Sequence, residues 1–259
     1  MKPYVWEASV SLSSDRTQMA YSALSNEGYR VFKMDLNTQE YIKIPDQNSG
    51  LEDHLTCPVW NSDNSRIYFI HAGLYYGPVY SMLPDGNDLI QVTEFHVFRS
   101  ISAACDDSFI VYASAYESFD DPPQGIYLYN IQEDTVVPVI TYDFPITAYG
   151  PVLSPDGQQV AFVLTNWFAE PSPPPYYRKI MIVNIDGSDA RVVKELPMVR
   201  NVANTYVTWS PDGTKLAFNI SRGIEEDYYP QIYIINTDGT NMTQVTFMNE
   251  FITGLCWIE

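Results

Sequence analysis

The stretch Thr208-Trp209-Ser210-Pro211-Asp212-Gly213-Thr214-Lys215-Leu216-Ala217-Phe218 predicts two short β-strands joined by a tight turn. Pro211 presets the backbone for a turn, Asp212 can bond its own backbone, and Gly213 tolerates a positive φ. The apolar run that follows the turn is typical of a strand. Because related patterns recur along the chain, this stretch decides how the whole sequence is interpreted.

Four earlier segments repeat the pattern of a turn aspartate followed, four to six residues later, by an aliphatic residue, a small or apolar residue and an aromatic one. The aspartates of the five copies are spaced 48, 43, 50 and 56 residues apart and are Asp15, Asp63, Asp106, Asp156 and Asp212. In every copy a second pair of strands follows. In three copies that pair is joined by an Asp-Gly turn, which is a strong hairpin signal.

Each copy therefore contains four short strands, named a to d here, and four strands every ~40–50 residues is typical of a β-propeller blade. No segment holds a helical apolar period for three turns. The sequence predicts an all-β single domain over residues 1–259, with antiparallel blades at about 8–45, 56–93, 99–141, 149–194 and 204–246. Residues 251–258 fit strand a of a sixth copy, so a five-bladed and a six-bladed ring both stay open.

Two segments of the fifth copy carry a family resemblance. The stretch Trp209–Phe218 is followed by Gln231-Ile-Tyr-Ile-Ile-Asn-Thr-Asp-Gly239 and by Gln244-Val-Thr246. This WD-like repeat resembles that of the TolB-type β-propellers, which also occurs in the propeller domains of prolyl-oligopeptidase-like enzymes and tricorn-like proteases. The resemblance covers about residues 9–257. It implies a β-propeller fold and a periplasmic or extracellular scaffold, and it is weak evidence for any particular function.

Composition and charge exclude several partners. The 259 residues carry 14 basic and 32 acidic side chains, for a net charge of −18, which disfavours nucleic acid and anionic membrane surfaces and favours cationic partners. No apolar run is long enough to insert into a membrane, and residues 1–7 lack the apolar core of a signal peptide. The three cysteines, Cys57, Cys105 and Cys256, match neither a metal motif nor a disulfide framework.

The connections between strands b and c are the longest in each copy, and they are rich in aromatic and acidic residues. Aromatic rings beside carboxylates suit a cationic peptide, through charge and ring faces, or a sugar, through stacking and hydrogen bonds. The alternative is that these rings pack beneath their own loops. The predicted ligand-binding face consists of Tyr75, Tyr76, Tyr116, Phe119, Asp120, Trp167, Phe168, Tyr176, Tyr177, Glu226, Tyr228 and Tyr229.

The links between consecutive copies place a second set of residues toward the predicted axial mouth: Glu52, His54, His96, Arg99, Tyr149, Arg200 and Asn204. His54 and His96 could form a metal-binding or proton-transfer pair, although a loop histidine is usually just solvated. Three histidines in the whole chain are few for a His-rich metal site. Motifs of serine hydrolases, zinc peptidases and phosphate-binding loops are absent from the sequence, so no catalytic residue, metal or cofactor is predicted.

Three hypotheses about function follow. The first is a non-catalytic binding propeller that presents an acidic, aromatic loop face to a protein, a peptide or a glycan. The second is an enzyme or enzyme fragment, either a hydrolase- or lyase-type propeller or the substrate-gating propeller of a peptidase. The third is self-association through the additional C-terminal strand, because an unpaired strand edge invites pairing with another chain.

Overall fold

The structure is a computed structural model, and it describes residues 9–26, 28–45, 50–51, 54–61, 63–71, 76–94, 97–103, 108–114, 123–143, 146–166, 177–197, 205–220, 229–247, 249, 252 and 255–257. For residues 76, 98, 99 and 103 only the backbone is described. The chain forms two compact units, one of Met1–Ala115 with Leu128–Val136 and the other of Tyr116–Tyr127 with Val137–Glu259. Every regular element in the described ranges is a strand.

The first two sheets lie in the first unit. One is the antiparallel series β1 (Val10–Leu12), β2 (Gln18–Ser25), β3 (Gly28–Asp35) and β4 (Tyr41–Ile44). The chain continues through β5 (Leu55–Trp60), β6 (Ile67–His71), β7 (Tyr76–Gly77), β8 (Val79–Met82) and β9 (Ile90–Gln91). Of these, β5, β6, β8 and β9 pair in that order, so both sheets have the a-b-c-d order that the repeats predict.

A third sheet is built from β10 (Val97–Ala103), β11 (Phe109–Ser114), β12 (Gln124–Asn130) and β13 (Thr135–Tyr142). It gains a fifth strand, because the two-residue β7 pairs with the outer edge of β10. Tyr76 lies in β7, and its backbone is therefore hydrogen-bonded to a strand instead of belonging to the free loop that the sequence predicts. Local alternation gave no sign of this, because the pairing partner is Phe98, 22 residues farther along the chain.

The second unit contains two complete four-stranded sheets. The first is β14 (Thr147–Leu153), β15 (Gln159–Thr165), β16 (Arg178–Asn184) and β17 (Arg191–Leu196). The second is β18 (Val207–Trp209), β19 (Lys215–Ile220), β20 (Gln231–Asn236) and β21 (Thr243–Gln244). Buried side chains of both sheets, including Ile182, Trp209, Phe218 and Tyr233, form one apolar cluster.

The repeated aspartates lie in the turns between strands a and b and bond to their own turn. In the fifth sheet Asp212 Oδ1 accepts hydrogen bonds from Ser210 Oγ at 2.6 Å and from the backbone N–H of Thr214 at 3.0 Å. Asp15 and Asp156 accept the equivalent bonds in their own sheets. Because these bonds favour the ionised carboxylate, they lower the pKa of all three aspartates, that of Asp212 to about 2. The turn role predicted for the aspartates is confirmed here; Asp106 lies outside the described residues.

The Gln-x-Thr segment at strand d has a specific structural role in the second and fifth sheets. Tyr80 donates from its hydroxyl to Gln91 Oε1 at 3.0 Å, and Thr93 Oγ1 accepts the backbone N–H of Val79 at 2.9 Å. Tyr233, Gln244 and Thr246 repeat this arrangement in the fifth sheet. The segment thus continues the pairing of strand d with strand c beyond the two-residue strands β9 and β21.

Two glycines let the c–d turns of the second unit lie against the backbone of a preceding strand d. Gly187 has a φ of +84°, and a Cβ placed on it would stand 2.5 Å from the carbonyl oxygen of Val139. Gly239, with a φ of +85°, is related in the same way to Val193, at 2.8 Å. The Asp-Gly turns therefore serve sheet-to-sheet packing as well as hairpin closure.

The all-β fold class and the four-stranded antiparallel blades predicted from the sequence are confirmed. The additional strand at 251–258 stays a prediction: the residues described there, Ile252 and 255–257, are assigned to no strand, and the others lie outside the described residues. Arg99 lies within β10, whereas the sequence places it in the link before that strand. That strand begins earlier than the apolar pattern indicates because the pairing with β7 extends it at its N-terminal end.

Candidate functional site

The ends of the sheets where strand b leads to strand c carry the predicted ligand-binding face. Two of its side chains are described, Tyr177 before β16 and Tyr229 before β20. Tyr76 is described by its backbone alone. The other predicted members lie outside the described residues and stay predictions: Tyr75, Tyr116, Phe119, Asp120, Trp167, Phe168, Tyr176, Glu226 and Tyr228.

Hydrogen bonds fix the backbone of Tyr177 at the base of the fourth b–c connection. Its N–H donates to Asn166 Oδ1 at 2.8 Å, and its carbonyl accepts from Thr165 Oγ1 at 3.1 Å. Since Asn166 and Thr165 are themselves buried at the end of β15, the position of the tyrosine is set by the sheet. An aromatic residue anchored in this way loses little entropy on binding a ligand.

The side chain of Tyr177 is half-buried and has charged neighbours. Lys179 places its Nζ 4.8 Å from the centre of the Tyr177 ring, in a cation–π contact, and also forms a 3.0 Å ion pair with Glu195. Nearby, burial and then the interaction with Tyr177 raise the pKa of Tyr142 to about 12, so its hydroxyl stays protonated at neutral pH. This end of the fourth sheet thus offers a ring, an ammonium group and an exposed carboxylate.

Tyr229 is held in a comparable place at the end of the fifth sheet. Its carbonyl accepts a 3.2 Å hydrogen bond from Gln231 Nε2, and Gln231 Oε1 in turn accepts one from Thr246 Oγ1 at 3.2 Å. The Gln-x-Thr segment of strand d thereby supports the residue just before strand c. The structure therefore places both described tyrosines at the b–c ends of sheets in the second unit.

A buried polar cluster that sequence reasoning missed lies at the same end of the fourth sheet. Arg178, the first residue of β16, is 8% exposed, and its Nη1 donates to Thr205 Oγ1 at 3.2 Å. Thr205 also hydrogen-bonds the hydroxyl of Tyr149 through its backbone and its side chain. The only sequence signal was a basic residue opening an apolar strand, since Lys179-Ile180-Met181-Ile182-Val183 follows it.

A bulge in β14 places Tyr149 in this cluster. The pairing of β14 with β15 shifts register between Tyr149 and Val152, where Gly150 has a φ of +64°. Bulges re-aim the neighbouring side chains, and Tyr149 consequently belongs to the strand instead of the link in which the sequence places it. Burial raises the pKa of Tyr149, against the opposing effect of the Arg178 charge and the bonds from Thr205.

Known proteins with similar sequences or structures identify the fold that these sheets form. No family model matches the chain. A stretch of 78 residues, 30% of this chain, is 37% identical to the Tricorn protease homolog 1 of Streptomyces coelicolor, of which it covers 7%. The solved TolB of Acinetobacter baumannii has a TM-score of 0.69 at 18% identity, over 89% of this chain and 52% of that one.

The fold is that of the TolB-type β-propellers. A second solved structure, the putative TolB of Agrobacterium tumefaciens, has a TM-score of 0.68 at 14% identity and covers 91% of this chain and 79% of that chain. The resemblance predicted from the Trp-Ser-Pro-Asp-Gly repeat is thereby confirmed for the fold. The chain spans about half the length of the Acinetobacter TolB and a small part of the Streptomyces relative.

A similar fold occurs in an enzyme. An oligogalacturonate lyase in complex with manganese has a TM-score of 0.55 at 11% identity, over 92% of this chain and 76% of that chain. Identities this low establish the fold alone. Binding and enzymatic functions are therefore both compatible with these neighbours.

Of the predicted axial-mouth residues, the structure describes the side chains of His54, in the first unit, and Tyr149, in the second. The ring of His54 lies 6.4 Å from that of Tyr29, centre to centre, in the first unit. The other members lie outside the described residues, Arg99 by its side chain alone: Glu52, His96, Arg99, Arg200 and Asn204. Within the described part of the chain, no group of three or more His, Cys, Asp or Glu side chains is arranged to hold a metal ion. That part also contains no helix long and apolar enough to cross a bilayer.

Proposed function

We propose that this chain is a non-catalytic binding propeller that presents its b–c loops to a protein, a peptide or a glycan. The observation that supports the proposal most is the difference between the two ends of each sheet in the second unit. At the a–b end, Asp156 and Asp212 bond to their own turns. At the b–c end, Tyr177 and Tyr229 are anchored by their backbones and keep half-exposed side chains.

Charge complementarity favours a cationic ligand. The chain has a net charge of −18, which raises the local concentration of positively charged partners and speeds their association. At the b–c end of the fourth sheet, the Glu195 side chain is 71% exposed and Tyr177 offers a ring face. In the free chain Lys179 contacts both groups, so a lysine- or arginine-containing peptide would displace its ammonium to use them, whereas a neutral glycan would use the ring.

The test is a fourfold variant in which Tyr176, Tyr177, Tyr228 and Tyr229 are replaced by alanine. Binding of a fluorescent lysine-rich octapeptide and binding to a glycan array are measured beside the melting temperature Tm. We expect each lost aromatic contact to weaken binding by about three- to tenfold, with Tm nearly unchanged.

Tyr41→Ala is the matched control, because Tyr41 is 61% exposed on the outer strand β4, away from the b–c ends. It should bind both probes as the wild type does. Equal binding by the wild type and the fourfold variant would contradict the proposal, because the rings would then not contact the ligand. Loss of folding in the fourfold variant would also contradict it, because the rings would then be part of the core.

The second candidate function is the propeller of a peptidase, and the match to the Tricorn protease homolog supports it. Turnover of fluorogenic peptides by the purified chain would favour an enzyme directly. Binding of those peptides without turnover fits both a scaffold and a propeller that admits substrate to a separate catalytic domain. Adding a hydrolase in trans separates these two, because only a gating propeller should change its cleavage rate.

A further inference from the structure

Arg178 is a buried guanidinium whose hydrogen-bonding capacity is only partly used. The side chain is 8% exposed, Nη1 donates to Thr205 Oγ1, and Nε is buried without any hydrogen-bond partner. The ion pairs found among the described residues involve other basic side chains, namely Arg66, Lys179 and Arg191. Burying a charge without a counter-ion is costly, and among the described residues no carboxylate pairs with Arg178, so another anionic group is needed to neutralise it.

Tyr149 supplies a second hydrogen-bond donor next to this guanidinium. Thr205 joins the two groups, because its Oγ1 accepts from Arg178 Nη1 and both its backbone and its side chain hydrogen-bond the Tyr149 hydroxyl. A backbone N–H and a hydroxyl can both donate to that oxygen, which leaves the phenolic hydrogen able to donate to a ligand. Because burial raises the pKa of this group, the proton is retained at neutral pH.

We propose that Arg178 and Tyr149, joined through Thr205, form a binding site for the C-terminal carboxylate of a peptide. A guanidinium presents its N–H groups in a planar fork that matches a carboxylate, and the phenol adds a third donor. This proposal deepens the proposed function, because the site lies at the same b–c end as Tyr177 and names the group by which a peptide ligand is anchored.

The charge of the chain decides between possible sources of the carboxylate. A polyanionic ligand would be repelled by a protein with a net charge of −18. A basic peptide has both the positive charge that the acidic chain attracts and a carboxylate for Arg178. Its side chains contact the acidic surface while its single terminal carboxylate binds Arg178. A free peptide C-terminus is therefore favoured over a uronic acid polymer.

The test follows the Nε–H signal of Arg178 by NMR in the ¹⁵N-labelled full chain, assigned by its absence in Arg178→Gln. Sodium acetate is the probe and acetamide is its neutral isostere, both at fixed ionic strength. We expect a saturable shift with acetate, with a Kd on the order of 1 mM, and no shift with acetamide. At saturating acetate the Tm of the wild type should rise by about 2–4 °C.

Variants separate this site from general charge effects. Tyr149→Phe should weaken acetate binding by about three- to tenfold, as expected for one hydrogen bond. Lys215→Gln is the matched control, because it removes one exposed positive charge at the a–b end of the fifth sheet, away from the b–c ends; it should keep the acetate shift. The absence of a saturable shift in the wild type, or an equal shift with acetamide, would overturn the proposal.

A second arm identifies the source of the carboxylate. A lysine-containing tetrapeptide with a free C-terminus should bind at least about tenfold more tightly than its C-terminal amide. Equal affinities, or tighter binding of glucuronate than of the free peptide, would overturn the assignment to a peptide terminus. Because acetate binding is measured with every b–c tyrosine intact, its failure is distinguishable from failure of the tyrosine variants.

Discussion

The indole Nε1 of Trp209 donates a 3.1 Å hydrogen bond to the backbone carbonyl oxygen of Val152, and so joins the first strands of two successive sheets, β18 and β14. Trp60 ends strand a of the second sheet as Trp209 ends strand a of the fifth, and both are 6% exposed. In Trp60, however, Nε1 is buried without a hydrogen-bond partner. A tryptophan at the same repeat position therefore links two sheets by a hydrogen bond in Trp209 and only packs in the core in Trp60.

Replacing Trp209 by phenylalanine should cost more stability than replacing Trp60. Both changes remove similar apolar area, but Trp209→Phe also leaves the Val152 carbonyl without its donor, whereas Trp60→Phe removes an unsatisfied one. We expect the free energies of unfolding to differ by about 1–3 kcal/mol in urea titrations. Equal losses would mean that the bond to Val152 contributes nothing to stability.

The turn carboxylate of Asp212 should make stability depend on pH in the acid range. Its pKa is lowered from 3.8 to about 2 in the folded state, chiefly by the bond from Ser210. A lowered folded pKa stabilises the protein above the unfolded value, and that contribution is lost as pH falls from about 4 toward 2. Tm of Asp212→Asn should therefore lie below that of the wild type at pH 7 and meet it near pH 2.

Asp143→Asn is the control for this pH dependence, because Asp143 is exposed and lies outside the repeated turns. Its Tm should follow that of the wild type over the whole range. If the Asp212→Asn deficit persisted unchanged at pH 2, its cause would be the geometry of the amide and not the charge of the carboxylate.

Gly187→Ala should destabilise the chain more than Gly157→Ala. Both glycines have a positive φ, of +84° and +70°, so each alanine meets backbone strain of about 1–2 kcal/mol. Only at Gly187 does the new Cβ also meet the Val139 carbonyl, whereas the space around Gly157 is open. We expect a further loss of about 1–3 kcal/mol for Gly187→Ala in chemical denaturation. Similar losses of stability for both variants would show that the turn at Gly187 shifts to accommodate the new Cβ without further destabilisation.

Thr93→Val tests the role of the Gln-x-Thr segment. Thr93 is 2% exposed, and its hydroxyl accepts the backbone N–H of Val79, which valine cannot do although it has the same shape. Leaving that buried N–H unpaired should cost about 1–3 kcal/mol in unfolding free energy. Thr93→Ser, which keeps the hydroxyl, should recover most of the loss; a larger loss for serine than for valine would assign the effect to packing.

The fold was accessible from the sequence because its signals are local. A turn built on Ser210, Asp212 and Thr214 forms from residues within five positions of one another, and the alternation of strands b and c is set by neighbouring side chains. The position of Tyr177 and Tyr229 at the b–c ends followed from the same strand count, and their role in binding stays a prediction. Most other members of the predicted face lie outside the described residues and stay predictions.

The pairing of β7 with β10 and the cluster of Arg178, Thr205 and Tyr149 were decided by tertiary structure alone. Thr205 is 27 residues from Arg178 and 56 from Tyr149, so no local pattern relates them. A register shift at Gly150 directs the side chain of Tyr149, and the packing of the next sheet brings Thr205 to it. The sequence by itself determined the repeat and its turns, since these depend on short-range hydrogen bonds. The contacts between sheets required the folded chain, because they join residues that only packing brings together.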